Sequence, residues 1–259
     1  MKKKIVILIM GLPGSGKTFL AKKFSNLLKA DWFNADKIRK QHKDWDFSKA
    51  GIIRQVRRMK KLTNESKKKY VIADFVCPLP QQIKIFKPNI IIWMNTIVKS
   101  RYPKMNKIFV PPKKYDFVFK EKNIKINILN LKDKIIGYKW NNKNPTIQML
   151  GRFQPWHYGH RKLFEKCVLK TGQVNIMVKD MNKGKGNPYS YLKVKNKILN
   201  DLKYFRKRIQ VSLVPNITEI NYGRTVGYKI KRIKLGNKIE QISATKIRNK
   251  KIKNKLLFN

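Results

Sequence analysis

The stretch that decides the fold is IVILIMGLPGSGKT, running from Ile5 to Thr18. Ile5 to Met10 is continuously apolar and stops at Gly11, the pattern of a buried strand. A helix is predicted from Thr18 to Ala30, with Leu20, Phe24, Leu27 and Leu28 on one face. The turn between them, GLPGSGKT, fits G-x-x-x-x-G-K-[ST]. Gly11, Gly14 and Gly16 let backbone N–H groups turn inward around phosphate oxygens, and Ser15 lies in the same turn. Lys17 is expected to reach the β- and γ-phosphates of ATP, and the Thr18 hydroxyl to hold Mg²⁺. The helix start adds the positive end of its dipole. An ordinary strand–turn–helix corner is the plain alternative.

Working outward, Tyr70 to Phe75 and Asn89 to Met94 are two more apolar runs. Between them and the first strand, Ile52, Ile53, Val56, Met59 and Leu62 mark one face of a basic helix. Strands alternating with helices predict a parallel sheet covered on both sides. FNADKIR, Phe33 to Arg39, offers Asp36 at the end of a second strand, placed to orient or deprotonate an acceptor hydroxyl. Arg39 could clamp an anionic acceptor. DWDFS (Asp44 to Ser48) and RQVRRM (Arg54 to Met59) follow, and Arg54, Arg57 and Arg58 recur at helical spacing. An acceptor carrying phosphate or sulfate would use such arginines, although each alone suits a solvated helix face.

Over roughly residues 4 to 118 the chain resembles adenylylsulfate kinases and related small-molecule kinases. The resemblance rests on GLPGSGKT, NADKIR, DWDFS, RQVRRM and DFVCP (Asp74 to Pro78). It implies phosphoryl transfer from ATP to a hydroxyl, with Lys17 and Asp36 catalytic and Arg39, Arg57 and Arg58 on the acceptor. The departures fall on the acceptor side. Gly51-Ile52 stands where the family has Asp-Arg, Gln55 replaces its Asn, Cys77 replaces a Ser, and KSRYPKMNK occupies the place of its lid segment. ATP use is therefore better supported than adenylylsulfate as acceptor.

The pattern weakens from Leu131 to Thr146, where KWNNKNPT ends near Pro145. A kinase domain over 1–135, a linker over 136–146 and a second domain over 147–259 are expected. Short strands are predicted at Ile147 to Leu150, Val174 to Val178 and Ile209 to Leu213. A helix with Leu163, Phe164, Cys167 and Val168 inward should stop near Gly172. At its start lies GRFQPWHYGH, Gly151 to His160, holding two of the three histidines. His157 and His160 at a helix start can donate to α- and β-phosphate oxygens during displacement at the α-phosphorus. Gly159 permits close backbone approach, and Gly151, Arg152 and Phe153 open the motif as nucleotide-binding candidates. ISATKIR, Ile242 to Arg248, supplies the Ser243 and Thr245 hydroxyls, and Arg248 one turn on can reach the same phosphates.

GRFQPWHYGH and ISATKIR together resemble the HxGH nucleotidyltransferase superfamily, over about residues 147 to 250. The resemblance implies a Rossmann-like fold, Mg²⁺, and attack of a phosphomonoester on ATP or CTP with release of pyrophosphate. Arg224 in NYGRTVGY (Asn221 to Tyr228) is a candidate for holding that acceptor, or part of a turn. The fold class expected is thus α/β with two Rossmann-like parallel-sheet domains, a P-loop NTPase fold and then an HxGH nucleotidyltransferase fold. A kinase makes a phosphomonoester and a nucleotidyltransferase consumes one, so consecutive steps on one chain are expected. Sulfate activation is the runner-up.

Charge is the abnormal feature of the composition. Lys and Arg number 62 against 14 Asp and Glu, a formal net charge of +48. Such an excess suggests a polyanion partner, as in a nucleic-acid-end kinase or a nucleotide-sensing nucleic-acid binder. Only 12 of the 62 are Arg, however, and abundant Lys, Asn and Ile also fit an A/T-rich coding bias. No RNP-like box is found. Nucleotides and small phosphorylated or sulfated metabolites are the expected partners, and specific nucleic-acid binding is not. Cys77 and Cys167 offer neither a disulfide framework nor zinc spacing, which fits a reducing cytoplasm. No run approaches the ~18 apolar residues of a membrane span.

Overall fold

The computed structural model describes residues 3–121, 124–221, 223, 227 and 229–253. The chain divides into two compact units, 1–135 and 136–259. In the first, β1 (Ile5–Met10) leads into α1 (Lys17–Leu28), then β2 (Asp31–Asn34), α2 (Ala35–Gln41) and α3 (Lys49–Glu65). Next come β3 (Tyr70–Asp74), α4 (Pro80–Phe86), β4 (Ile90–Met94), α5 (Pro103–Ile108), β5 (Phe117–Phe119) and α6 (Lys125–Ile136). All five strands run parallel in the order β2-β3-β1-β4-β5.

Strand β1 is central because it is apolar on both faces. Ile7 and Ile9 pack with Leu20, Phe24 and Leu28 of α1 and with Ile128 and Leu131 of α6. Leu8 and Met10 point the other way, onto Ile38, Val56, Met59 and Phe86 of α2, α3 and α4. This is the expected sheet with helices on both sides. Helix α1 ends at Leu28, two residues before the predicted stop, because Lys29 takes a left-handed conformation and closes the last turn. The weak pattern after Leu131 still holds a helix, α6, whose buried face is Ile128 and Leu131.

The second unit contains β6 (Ile147–Gly151), α7 (Tyr158–Thr171), β7 (Val174–Lys179), α8 (Tyr191–Asp201) and β8 (Ile209–Val214), the last preceded by a 3₁₀ segment at Lys203–Arg208. Two helices follow, α9 (Asn237–Glu240) and α10 (Ala244–Lys253). The three strands are parallel in the order β6-β7-β8. Gly172 caps α7 in the left-handed region, as its sequence position predicts. The stretch 138–146 is bonded into this unit. Tyr138 donates its hydroxyl to Gln173, and the Gln173 amide donates to the Asn141 carbonyl and the Thr146 hydroxyl. Both cysteines are buried and free. Among the described residues, no helix is long and apolar enough to cross a membrane.

Candidate functional site

The first site lies at the carboxyl end of β1, between β3 and β4, where an open parallel sheet leaves a crevice for ligands. The turn from Gly11 to Thr18 needs glycine: φ is 145° at Gly11, 84° at Gly14 and 91° at Gly16. A Cβ on Gly11 would also stand 2.4 Å from the Met94 carbonyl oxygen. Gly16 caps α1 with no side chain bonded to the helix end, so that end faces the turn with its own N–H groups. Ser15 is fully buried and its hydroxyl has no hydrogen-bond partner. A phosphate oxygen entering the turn would supply one.

Lys17 is buried, and its ammonium donates to the Leu12 carbonyl at 2.9 Å. Burial pulls its pKa down to about 8, opposed by the charges of Asp74 and Asp36. Asp36 sits exposed in the first turn of α2, and its charge is felt at Lys17. The Thr18 hydroxyl donates to Asp74 Oδ2 at 2.9 Å. Asp74 is the last residue of β3 and is buried. Its carboxylate also accepts from the Trp32 indole N–H at 2.6 Å and from the Asn34 amide at 3.0 Å. Desolvation nevertheless raises its pKa above the usual carboxylate value.

This donor set fits a hard divalent cation carried by a nucleotide. Thr18 gives its proton to Asp74 and keeps a lone pair for the metal, the usual arrangement of a phosphate-loop Thr and a strand-end Asp. Asp74 was not among the candidates read from sequence. The signal was present: YVIAD is an apolar strand ending in a carboxylate, adjacent in the sheet to the strand that feeds the phosphate turn.

The acceptor candidates are placed differently. Arg39 is buried and its guanidinium points into the chain. It donates to the carbonyls of Asp44 (3.0 Å), Asp46 (2.9 Å) and Gly51 (3.5 Å). Arg58 donates to Asp44 Oδ2 at 2.6 Å and to Gln55 Oε1 at 3.2 Å. Arg57 is exposed on α3. Gly51, at the place of the family's Asp, is occupied sterically: a Cβ there would lie 2.4 Å from the Asp46 carbonyl oxygen. Arg224 lies outside the described residues.

The second site follows β6. His157 caps α7, and its Nδ1 accepts the Gly159 N–H at 3.1 Å. His160 Nδ1 accepts the His157 N–H at 3.3 Å. The two rings stack at 3.8 Å and 26°. A nitrogen that accepts a hydrogen bond carries no proton, so each neutral ring holds its proton on Nε2. Burial pushes both pKa values down, His160 to about 3 with the neighbouring His157 adding to the effect. Gly159 lies close beneath the cap: a Cβ there would stand 3.0 Å from His157 Cε1 and press on that ring.

Phe153 and Trp156 are buried beneath this pair. Their rings lie 5.0 and 5.3 Å from that of His160, and the Trp156 indole N–H is fixed by Asp201 at 2.8 Å. Phe153 thus supports the imidazole, while Arg152 is exposed and Gly151 half-buried at the end of β6. Arg248 is buried and donates to the Gln154 carbonyl within the histidine loop and to Thr245 Oγ1. Ser243 accepts the Lys246 N–H at 3.5 Å at the start of α10. The two separated motifs of this unit are therefore in contact through Arg248. Gln154, unremarked in the sequence, ties the loop to Tyr189 by two hydrogen bonds.

No family model and no curated protein matches the chain. Solved structures similar to it include the APS kinase of Mycobacterium tuberculosis in complex with AMPPNP and APS. That match has 15% identity over 51% of this chain and 98% of that one, with a TM-score of 0.46. Shikimate kinase from Acinetobacter baumannii in complex with shikimate matches at 16% identity over 52% of this chain and 97% of that one, with a TM-score of 0.38. A gluconokinase from Sinorhizobium meliloti matches at 12% identity over 46% of this chain and 82% of that one, with a TM-score of 0.34.

Proposed function

We propose that the chain is a bifunctional transferase. The first unit transfers the γ-phosphoryl group of ATP to a hydroxyl of a small molecule, and the second transfers a nucleotidyl group from ATP or CTP to a phosphomonoester. The observation that carries the first reading is the Thr18–Asp74 hydrogen bond at 2.9 Å beside a buried Lys17 in a glycine turn. Lys17 exchanges the Leu12 carbonyl for β- and γ-oxygens and follows charge onto them. A Mg²⁺ ion carried in with the nucleotide would be held beside Thr18 and Asp74 and would supply charge neutralisation there. Thr18 and Asp74 hold its place, and Trp32 and Asn34 hold Asp74. Asp36 is the carboxylate available to take the acceptor proton.

In the second unit the supporting observation is the pair of Nδ1 acceptor bonds, which leaves the proton of each neutral ring on Nε2 as a donor. They bond α- and β-phosphate oxygens as pyrophosphate leaves. Arg248, with Ser243 and Thr245, backs the same loop. The Lys17→Ala variant is expected to lose phosphoryl transfer by about 10²–10³-fold while still releasing pyrophosphate from a supplied phosphomonoester, and His160→Ala to do the reverse. A mass-spectrometric screen of ATP and CTP against hydroxylated, phosphorylated and sulfated acceptors reads both reactions. Loss of both activities in either variant would sink the two-site reading.

A further inference from the structure

The loop from Asp44 to Ser48 is held far more tightly than five surface residues need. Arg39 takes the Asp44 and Asp46 carbonyls from below. Arg54 bonds the Asp44 carboxylate through two nitrogens, at 2.8 and 2.9 Å, and Asp46 at 3.1 Å. Arg58 adds a third contact to Asp44. The Asp46 carboxylate accepts the Ser48 N–H, and Ser48 caps α3. Nearly every polar group of the loop is thereby used internally.

What the loop leaves outside is two aromatic rings. Trp45 is 53% exposed and Phe47 52%. Their centroids are 6.4 Å apart at 38°, and the Arg39 guanidinium lies 4.7 Å under the Phe47 ring. Large rings exposed side by side on a fixed backbone have no packing purpose of their own. They meet the requirement for stacking flat ligands, with little rotamer freedom left to lose on binding.

A basic groove runs along the helix that follows the loop. Lys49 follows directly on Ser48, and an open groove of about 890 Å³ is lined by Lys49, Ile53, Arg54, Arg57, Arg58 and Lys61. Arg54 and Arg58 join rings and groove through Asp44. Among the described residues Lys49 and Arg57 make no ion pair, and Lys61 has only an exposed contact to Glu65 at 3.9 Å. From Lys49 to Lys61 the helix rises about 18 Å. At duplex spacing that is about five phosphates, and fewer in an extended strand.

We infer that this face binds a single-stranded nucleic acid, with bases stacked on Trp45 and Phe47 and the phosphodiester chain along Lys49, Arg57 and Lys61. The combination of ring platform and cationic track is what strand binding without base reading requires. Sequence alone conceals it, because DWDFS puts one acidic residue before the rings and one between them. In the structure Asp44 is largely covered and both carboxylates are paired with arginine, Asp46 at the surface. None of these side chains touches Lys17, Asp74 or the histidine pair, but Arg39, Arg57 and Arg58 are the cations that the resemblance assigns to the kinase acceptor, so a strand and that acceptor would compete for this face.

The test is fluorescence anisotropy of a labelled twelve-nucleotide oligothymidylate with the full chain, from 50 to 200 mM salt. Removing both rings (Trp45→Ala with Phe47→Ala) is expected to weaken binding at least tenfold at unchanged salt slope. Arg57→Ala should flatten the slope by about 0.7. Lys22→Gln, on α1, should do neither. Lys17→Ala should leave strand binding intact, which separates this result from any failure of the kinase reading. Two outcomes overturn the inference. In one, ring removal changes affinity less than twofold and Lys22→Gln acts like Arg57→Ala, so that binding is uniform attraction to lysine. In the other, thymidine monophosphate competes as well as the strand at equal nucleotide concentration, so that the platform takes a free nucleotide.

Discussion

The turn at Gly11–Thr18 and the loop at Gly151–His160 each join a parallel strand to the start of a helix, and both are candidates for a triphosphate. They are armed differently. In the first, the helix end has no side-chain cap, a buried ammonium stands beside it, and a carboxylate with three hydrogen-bond donors supports the threonine. In the second, His157 itself caps the helix, and it and His160 are neutral imidazoles that each accept a hydrogen bond at Nδ1. As phosphate sites, the first loop would offer full charges and the second uncharged N–H donors. The contrast teaches that a shared strand–loop–helix geometry does not fix the chemistry: the titration state of the side chains around the helix start does.

The largest expected effect that sharpens this contrast is at Asp74. Asp74→Asn keeps size and shape but removes the charge that supports Thr18 and the cation. Phosphoryl transfer should fall by about 10²-fold and require more Mg²⁺ for half-maximal rate. Nucleotidyl transfer by the second unit should be unchanged. A Mg²⁺ titration of both reactions measures this, and an unaltered Mg²⁺ requirement would remove Asp74 from the metal's support.

A smaller effect is expected from acid. His160 has a folded pKa of about 3 against an ordinary 6.5, so the unfolded chain binds a proton that the folded chain refuses. Stability from this group is complete above pH 6.5 and declines as pH falls toward 3. The melting temperature of the full chain should therefore drop across that window, and His160→Asn should flatten the dependence. The proposed nucleotidyl transfer, if neutral donors run it, should show no acidic limb at pH 6.5. A limb centred there would mean that an imidazole titrates normally.

Much of this was legible beforehand because it is local. GLPGSGKT after six apolar residues defines strand, turn and helix together, and HYGH before an apolar-faced helix does the same. The sheet order and the partners of Asp74 were not legible, since Thr18, Trp32, Asn34 and Asp74 meet only when β1, β2 and β3 are side by side. Arg39 shows the opposite limit. Its spacing after Asp36 suggested an acceptor clamp, but in the fold its donors close the Asp44–Gly51 loop. Arginine at a plausible position cannot be told from arginine already satisfied by carbonyls until the loop's path is known. Gly51 is the converse, a departure from the family pattern that the fold explains by contact with Asp46.

The smallest effect is also the most specific to the first loop. Lys17, at about 8, is roughly half protonated at pH 8 before any ligand arrives. Triphosphate oxygens replace the Leu12 carbonyl as its partner and favour the charged form. Binding ATP at pH 8 should therefore take up about half a proton. Calorimetry in buffers of different ionisation enthalpy reads that number directly. The uptake should vanish in Lys17→Met and should fade below pH 7, where the ammonium is already formed. The His157–His160 loop should add little, because its imidazoles are neutral at pH 8 before ligand binds and act as donors without changing protonation. An uptake that persists in Lys17→Met would assign the proton to a group elsewhere and would erase the electrostatic distinction between the two loops.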